Sequence, residues 1–323
     1  MTAKTSKKIL GGGFGGVYCA KKLESMVAKR KIDAQITLVS RQNFFVFTPM
    51  LPQVVSGMIE SNHVVVPIRQ VLKSTKFYEA DVTSIDVQGR QVNLKIENDD
   101  FAAGSRGSSS NLTLEYDHLV VSLGSDINFP NLPAAGDPAL FTLKDLKDAL
   151  MLRNHIIDML ERADIEADPE KRRQMLHFVI VGGGLSGVET AAELNSFFRK
   201  VIKYYPNLKA QFSEMPPHVT IIQSRDRVLP ELNPRLASYT LKKMTQDGIS
   251  IILNTKVTEV GKGFVKMAKK MQDEETVLPA STVIWTAGIS PNPVTAGMPC
   301  EKMVPSGRLM VDNFMRVKGF EEL

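Results

Sequence analysis

Short, continuous apolar runs that stop at glycine clusters divide the chain, and the residues after each cluster switch to helical spacing. The five-residue run His177-Phe178-Val179-Ile180-Val181 has the pattern of a strand buried on both faces, and it leads into Gly182-Gly183-Gly184-Leu185-Ser186-Gly187 and then VETAAELNSFF. Ile9-Leu10 leads in the same way into Gly11-Gly12-Gly13-Phe14-Gly15-Gly16, after which Val17, Ala20, Leu23 and Met26 recur at helical spacing. Each unit therefore predicts strand, tight turn, helix. AQITLVS, ending at Ser40, and HVTIIQ, ending at Gln223, are the strands expected next.

The connecting pieces repeat as well. ADVTSIDVQGRQVNLKIEN alternates polar and apolar positions and predicts a hairpin turning at Gly89, with Asp99 to Asn111, rich in Ser and Gly, as a flexible tip. EYDHLVVSLGSDINF closes on Gly124, and EETVLPASTVIWTAGISPNP closes on Gly288. Between them, Thr142 with Asp145 predicts a capping box opening a long helix with Leu143, Leu146, Leu150, Ile157 and Leu160 on its apolar face. FFRKVIKYY at 197–205 predicts a helix end that packs its Phe, Val and Ile inward. The order in the two halves implies an α/β fold of two Rossmann-like dinucleotide-binding domains, each three-layered, with a parallel sheet and an antiparallel hairpin crossover. The second domain is inserted in the first, with boundaries at 1–135, 136–285 and 286–323.

Glycine at these spacings has a physical purpose. One glycine turns the strand sharply, one lets backbone N–H groups approach a pyrophosphate, and one packs helix against strand, while the helix N-terminus faces the phosphates. A single such motif is weak, but two copies, each between strand and helix, point strongly to two dinucleotide sites. In the first copy the strand reads only Lys7-Lys8-Ile9-Leu10, so Lys8 falls where the second copy has Val179. Either both lysines lie at the solvent end of a short strand or apolar residues are missing, because burying an unpaired ammonium costs several kcal/mol. Neither second strand ends on the acid that commonly meets an adenosine ribose: Ser40 is followed by Arg41, and Gln223 by Ser224 and Arg225. A neutral Gln223 with Arg225 nearby predicts that NADPH is accepted as well as NADH.

Composition narrows the chemistry. With 323 residues, 43% apolar and 23% charged, the chain is long enough for two cores. No window approaches the roughly 18–20 apolar residues of a membrane-spanning helix, and the start lacks the apolar stretch of a signal peptide, so a cytoplasmic location is the default. The net charge of +5 comes from scattered Lys and Arg and gives little support for nucleic acid as a partner. The five histidines are dispersed without metal-ligand spacing, and Cys19 and Cys300 stand alone.

With these residues in hand, the chain resembles the two-dinucleotide-domain flavoproteins, and within them the type II NADH dehydrogenases, non-proton-pumping NADH:quinone oxidoreductases. The resemblance spans essentially the whole chain and is carried by KKILGGGFGGVYCAKKL, RQNFFVFTPMLPQVVSG, FTLKDLKDALMLRNHI, FVIVGGGLSGVETAAEL and VIWTAGI. It implies that Gly11, Gly13, Phe14, Gly15 and Gly16 hold the FAD pyrophosphate, that Ser40 and Arg41 meet its adenosine, that Thr48 and Pro49 lie near the isoalloxazine, and that Gly124 closes over the flavin. It implies that Gly182, Gly184 and Gly187 hold NADH or NADPH, with Gln223 at the ribose and Gly288 near the nicotinamide. Glu189 matches an acid that in this family sits beside the stacked rings, although an acid early in a helix is favourable for the dipole alone.

The implied chemistry is hydride transfer from the nicotinamide to the flavin, then reoxidation by a quinone in the respiratory chain. The cysteine count agrees: disulfide reductases, peroxidases, coenzyme A disulfide reductases and sulfide:quinone oxidoreductases of this superfamily need cysteines near the flavin, where FVFTPMLPQ has none. The resemblance further implies peripheral attachment to the inner face of the cell membrane in a full-length protein, and it allows a homodimer.

Two alternatives stand beside this: an NAD(P)H-dependent reductase of a soluble electron carrier, and a non-catalytic nucleotide-binding fragment. The second arises from residues 307–323, GRLMVDNFMRVKGFEEL, which resemble the approach to the second flavin-binding motif of the family. The expectation is of a chain truncated before that motif, whose FAD domain lacks at least one strand.

Overall fold

A computed structural model of the chain describes residues 4–97, 109–129, 139–270 and 275–323. Contacts divide it into two compact units, one built from Met1–Val46, Val65–Asp126 and Ile289–Leu323, the other from Phe47–Val64 and Ile127–Gly288.

In the first unit, β1 (Thr5–Leu10) leads into α1 (Phe14–Arg30) and β2 (Ala34–Ser40), followed by β3 (Lys76–Glu79), the strands β4 (Asp81–Asp86), β5 (Gln91–Glu97) and β6 (Ser109–Glu115), and β7 (His118–Val121). β3, β2, β1 and β7 form a parallel sheet in that order, and β4, β5 and β6 an antiparallel meander. Strand alternation sorts the side chains between two faces. Ile9, Leu38 and Phe77 pack with Val17 and Ala20 of α1. Leu10, Val39 and Leu119 pack with Ile85, Val92 and Leu94 of the meander. Helix, sheet and meander thus make three layers. Ser109–Asn111, expected in a flexible tip, are instead paired in β6 against Lys95–Glu97, because main-chain pairing overrides a polar composition; the rest of that tip lies outside the described residues.

β1 is longer than its apolar pair suggests, since pairing with β2 from Thr5 onward recruits polar residues into the sheet. Lys7 is half-buried, but Lys8 is only 6% exposed and donates to Thr37 Oγ1 at 3.3 Å across the register. Lys8 therefore does not lie at the solvent end of a short strand but inside the sheet, bonded to the neutral Thr37 hydroxyl. Burial pushes its pKa down, the nearby Lys76 charge adds to that, and Asp117 opposes both.

The edge of α1 is tied down by Glu24. Its carboxylate accepts from the N–H groups of Lys73, Ser74 and Thr75 at 3.0, 2.7 and 2.7 Å and from the Thr75 hydroxyl at 2.8 Å. Burial alone raises this carboxylate, but the donors from Ser74, Thr75 and Lys73 outweigh it and hold its pKa low.

The second unit contains α2 (Leu51–Val55), β8 (Leu140–Thr142), α3 (Leu146–Ile165), β9 (His177–Val181), α4 (Leu185–Val201), β10 (His218–Ile222), β11 (Ser250–Ile252), β12 (Thr255–Gly261), β13 (Phe264–Lys269), β14 (Glu275–Pro279) and β15 (Thr282–Trp285). Its parallel sheet runs β8-β15-β9-β10-β11. The antiparallel meander β12-β13-β14 covers Val179, Val181, Ile222, Val283 and Trp285 on one face. On the other, the Phe178 ring packs tilted against Phe198 of α4 with ring centroids 4.6 Å apart. Phe198 and Ile202 are buried, as expected for an inward-packing helix end.

α3 starts later than expected. Its N-cap is Asp145, which accepts from the Asp148 N–H at 2.9 Å, while Thr142 ends β8 and donates to Asp148 Oδ2 at 2.7 Å. A carboxylate N-cap displaces the hydroxyl because Thr142 is held extended by its pairing with Trp285. The buried stripe accordingly shifts to Ala149, Leu152, Ile156, Met159, Leu160 and Ala163. Among the described residues no helix is long and apolar enough to cross a membrane.

Candidate functional site

The two glycine turns have the same construction. Gly11 and Gly182 take φ of +107° and +113°, a left-handed turn that L side chains rarely adopt. Their N–H groups donate to Val39 O of β2 at 2.8 Å and Ile222 O of β10 at 2.9 Å, in each case the next strand after the turn's helix. Five residues on, a Cβ at Gly16 or Gly187 would fall on the carbonyl oxygen of Gly11 or Gly182 respectively, so only glycine lets the helix approach the strand.

Between these, Gly13 and Gly184 are the N-caps of α1 and α4, with extended backbones, no side-chain cap and no acid in the first helical turn. Nothing lies within 4 Å of where a Cβ would stand on either. No side chain caps either helix start, an arrangement that suits an anion from outside the chain.

A second element shared by both turns was not anticipated. Ser122 donates its hydroxyl to Leu10 O at 2.7 Å, and Thr286 donates to Val181 O at 3.0 Å and Gly182 O at 3.2 Å. Each hydroxyl closes the strand end beside its glycine turn, and each stands two residues before the expected loop glycine, Gly124 or Gly288. That shared spacing, SLG against TAG, was the available signal. Gly124 and Gly288 are exposed and take φ of +76° and +71°.

In the first unit, Gly11, Gly13, Ser40, Arg41 and Gly124 line one cavity of about 370 Å³ together with Asp81. Ser40 Oγ accepts from the Gln42 N–H at 3.3 Å, and Arg41 Nε lies 3.2 Å from Asp81 Oδ1 on the surface. Phe14 and Gly15 are exposed at the start of α1 and Gly16 is buried beneath them; the Phe14 ring meets Phe45 edge-on at 4.9 Å. The open cradle, uncapped helix and neighbouring guanidinium fit the pyrophosphate and adenosine of a dinucleotide.

The second unit holds the remaining expected residues. Thr48 and Pro49 form an exposed single turn, Thr48–Met50, before α2. Glu189 is exposed in the second turn of α4, past the range in which the helix dipole alone accounts for it. Burial raises its pKa, and the charge of Glu193 one turn later raises it further. Glu193 is itself fixed by α2: it accepts from Ser56 Oγ at 2.9 Å and Gln53 Nε2 at 3.4 Å, while Gln53 Oε1 is buried without a partner. No sequence pattern announced this cluster, since it joins residues about 140 positions apart.

Gln223 is 6% exposed, and its amide is turned onto the glycine turn, accepting from the Gly183 N–H at 3.2 Å and donating to Arg227 O at 3.1 Å. Arg225 is exposed beside it. Both cysteines are free thiols, and among the described residues no group of three His, Cys, Asp or Glu side chains is placed to hold a metal.

A family model of the pyridine nucleotide-disulphide oxidoreductases matches residues 7–322. The chain is 34% identical over 319 residues to the external alternative NAD(P)H-ubiquinone oxidoreductase B1, mitochondrial, of Solanum tuberosum, covering 96% of this chain and 52% of that protein. It is 33% identical over 338 residues to the external alternative NADH-ubiquinone oxidoreductase, mitochondrial, of Yarrowia lipolytica, covering 99% and 55%. The chain thus spans about half the length of the curated relatives it matches. Among solved structures, NDH2 from Plasmodium falciparum in complex with NADH has the same fold, with a TM-score of 0.85 at 24% identity over 99% of this chain and 63% of that one. The chain belongs to the pyridine nucleotide-disulphide oxidoreductase family, where its similarity runs to the type II NAD(P)H:quinone oxidoreductases.

Proposed function

We propose that this chain is the nucleotide-binding part of an FAD-dependent oxidoreductase that takes a hydride from NADH or NADPH and passes electrons to a membrane quinone. FAD belongs at the first glycine turn and NAD(P)H at the second, making the first compact unit the flavin domain and the second the nicotinamide domain. The observation that carries this is the matched pair of glycine turns, each with an uncapped helix N-terminus over an open cradle. The relatives named for NAD(P)H and ubiquinone support the donor and acceptor.

FAD, when bound, supplies the hydride acceptor and the two-electron relay. The chain's own residues bind and position. The N–H groups at the start of α1 take the flavin pyrophosphate, Arg41 and Ser40 its adenosine, and Gly124 leaves room beside it. The N–H groups at the start of α4 take the NAD(P)H pyrophosphate, and Gly288 leaves room at the nicotinamide end. Thr48 and Pro49 form an exposed turn of the second unit, and burial together with the Glu193 charge raises the Glu189 pKa above that of an ordinary glutamate. The acceptor lies outside the chain, because Cys19 sits in α1 and Cys300 in the C-terminal part of the first unit, and the two form no redox pair. A peripheral place on a quinone-containing membrane follows from this reading, and the names of the relatives make that membrane mitochondrial for them.

The purified chain is loaded with FAD, and the flavin absorbance is followed on adding NADH and then a short-chain quinone. Bleaching by NADH and recovery with quinone, but not with ferredoxin, is the expected result. A flavin that NADH leaves oxidised, or that only a protein carrier reoxidises, overturns the proposal.

A further inference from the structure

Nucleotide-binding sheets commonly place an acid at the end of the second strand, where it grips the adenosine ribose and repels a 2′-phosphate. Gln223 occupies that position at the end of β10, yet its amide is committed to Gly183 and Arg227 and its side chain is buried. The loop that follows is anchored against the same turn. Leu229 donates its N–H to Gly183 O at 2.7 Å, Val228 and Leu229 are buried, and Asn254 holds Arg225 O at 3.0 Å. Both peptide groups of Gly183 are thus occupied by this loop and the strand before it.

What the anchored loop presents to solvent is charge. Arg225 Nη1 lies 3.9 Å from Glu231 Oε1, with the two side chains 62% and 60% exposed. Arg227 is half-buried, and its Nη2 donates to Pro230 O at 3.1 Å. Asp226, exposed between the two arginines, adds a second negative charge nearby.

We infer that Arg225 and Glu231 together set the choice between NADPH and NADH at the second glycine turn, with Glu231 acting against NADPH, and that Gln223 braces the turn instead of reading the ribose. The inference rests on the assignment of NAD(P)H to that turn. A 2′-phosphate offers a guanidinium doubly charged, bidentate acceptors, which a long and exposed carboxylate contact does not match. To use Arg225 the phosphate must displace Glu231 or lie beside it, and either offsets part of what the guanidinium contributes. The 2′-hydroxyl of NADH is uncharged, so the pair has little hold over it. Glu231 is therefore a counter-ion that moderates a preference Arg225 would otherwise create.

NADH and NADPH binding to the 323-residue chain, by nucleotide fluorescence at low and high salt, tests this in the wild type, Glu231→Gln, Arg225→Ala and Gln223→Ala. Glu231→Gln is expected to shift the affinity ratio toward NADPH by about two- to five-fold, the worth of an exposed ion pair. Arg225→Ala is expected to shift it toward NADH by about ten-fold or more, the worth of a charged hydrogen bond. Both shifts should shrink at high salt. Gln223→Ala is expected to weaken both nucleotides by the same factor. A ratio that ignores Glu231→Gln and Arg225→Ala, or one that moves with Gln223→Ala, overturns the inference while leaving NAD(P)H at the turn. A chain that binds neither nucleotide removes the assignment itself, and the inference with it.

Discussion

At position 8 a lysine occupies the interior of a parallel sheet where the matching strand of the second unit carries Val179. Among the described residues its hydrogen-bond partner is the Thr37 hydroxyl, and its depressed pKa records an ammonium that burial disfavours. Removing the partner alone should therefore harm the protein more than removing both. Thr37→Val is expected to cost about 1–3 kcal/mol, because it leaves a buried charge without a hydrogen bond. Combining it with Lys8→Met should recover that loss or exceed it, as replacement of a buried polar pair by apolar groups often does. Thermal unfolding of the two single variants and the double checks this, and additive losses would contradict it. The sequence marked Lys8 as anomalous because a charge interrupted an apolar run. It did not locate Lys8, because β1 owes its length to pairing with Ala34–Ser40 and not to its own composition.

Elements owe their positions to a few polar ties as much as to apolar stripes. Glu24 holds α1 to residues 73–75 through four donors, and Glu24→Gln should lower stability at neutral pH by about 1–2 kcal/mol. Because its pKa is held low in the folded state, that contribution is present above about pH 4.3, the unfolded value, and fades as pH falls through the lower folded value. The difference in melting temperature between wild type and Glu24→Gln should close accordingly in acid.

The starts of β9 and β10 carry the opposite case. His177 and His218 lie with ring centroids 5.4 Å apart, bonded to Pro279 O, Thr220 and Ser250, and burial lowers both pKa values; at His177 the Pro279 carbonyl opposes this and His218 adds to it, the net shift being downward. Below about pH 6.5 the unfolded chain takes up protons that the folded pair resists, so stability falls with pH from there down to the folded values. His177→Gln and His218→Gln should each flatten that decline in melting temperature, and an unchanged slope would contradict it.

Of the elements, those bounded by glycine were legible in advance, because strand, turn and helix follow one another within some 20 residues and leave a local pattern. The Ser122 and Thr286 closures and the hold of Gln53 and Ser56 on Glu193 were not, since each joins positions more than 100 residues apart.

At the scale of the whole molecule, the proposed function requires one chain to carry two separate dinucleotide sites built on one plan, with FAD at the first and NAD(P)H at the second. Two parallel sheets, each with a helix-capped glycine turn and an antiparallel meander, give the plan its physical content. The most direct test uses the two open positions. A Cβ at Gly13 or Gly184 has nothing within 4 Å, and an aspartate there stands on an extended N-cap backbone suited to capping its helix, so the fold should keep or gain stability. The same carboxylate occupies the pyrophosphate position and repels its charge. FAD and NADH binding measured side by side in Gly13→Asp and Gly184→Asp should show FAD binding lost in the first with NADH retained, and NADH binding lost in the second with FAD retained. Loss of both ligands in either folded variant, or of neither in both, would contradict the account.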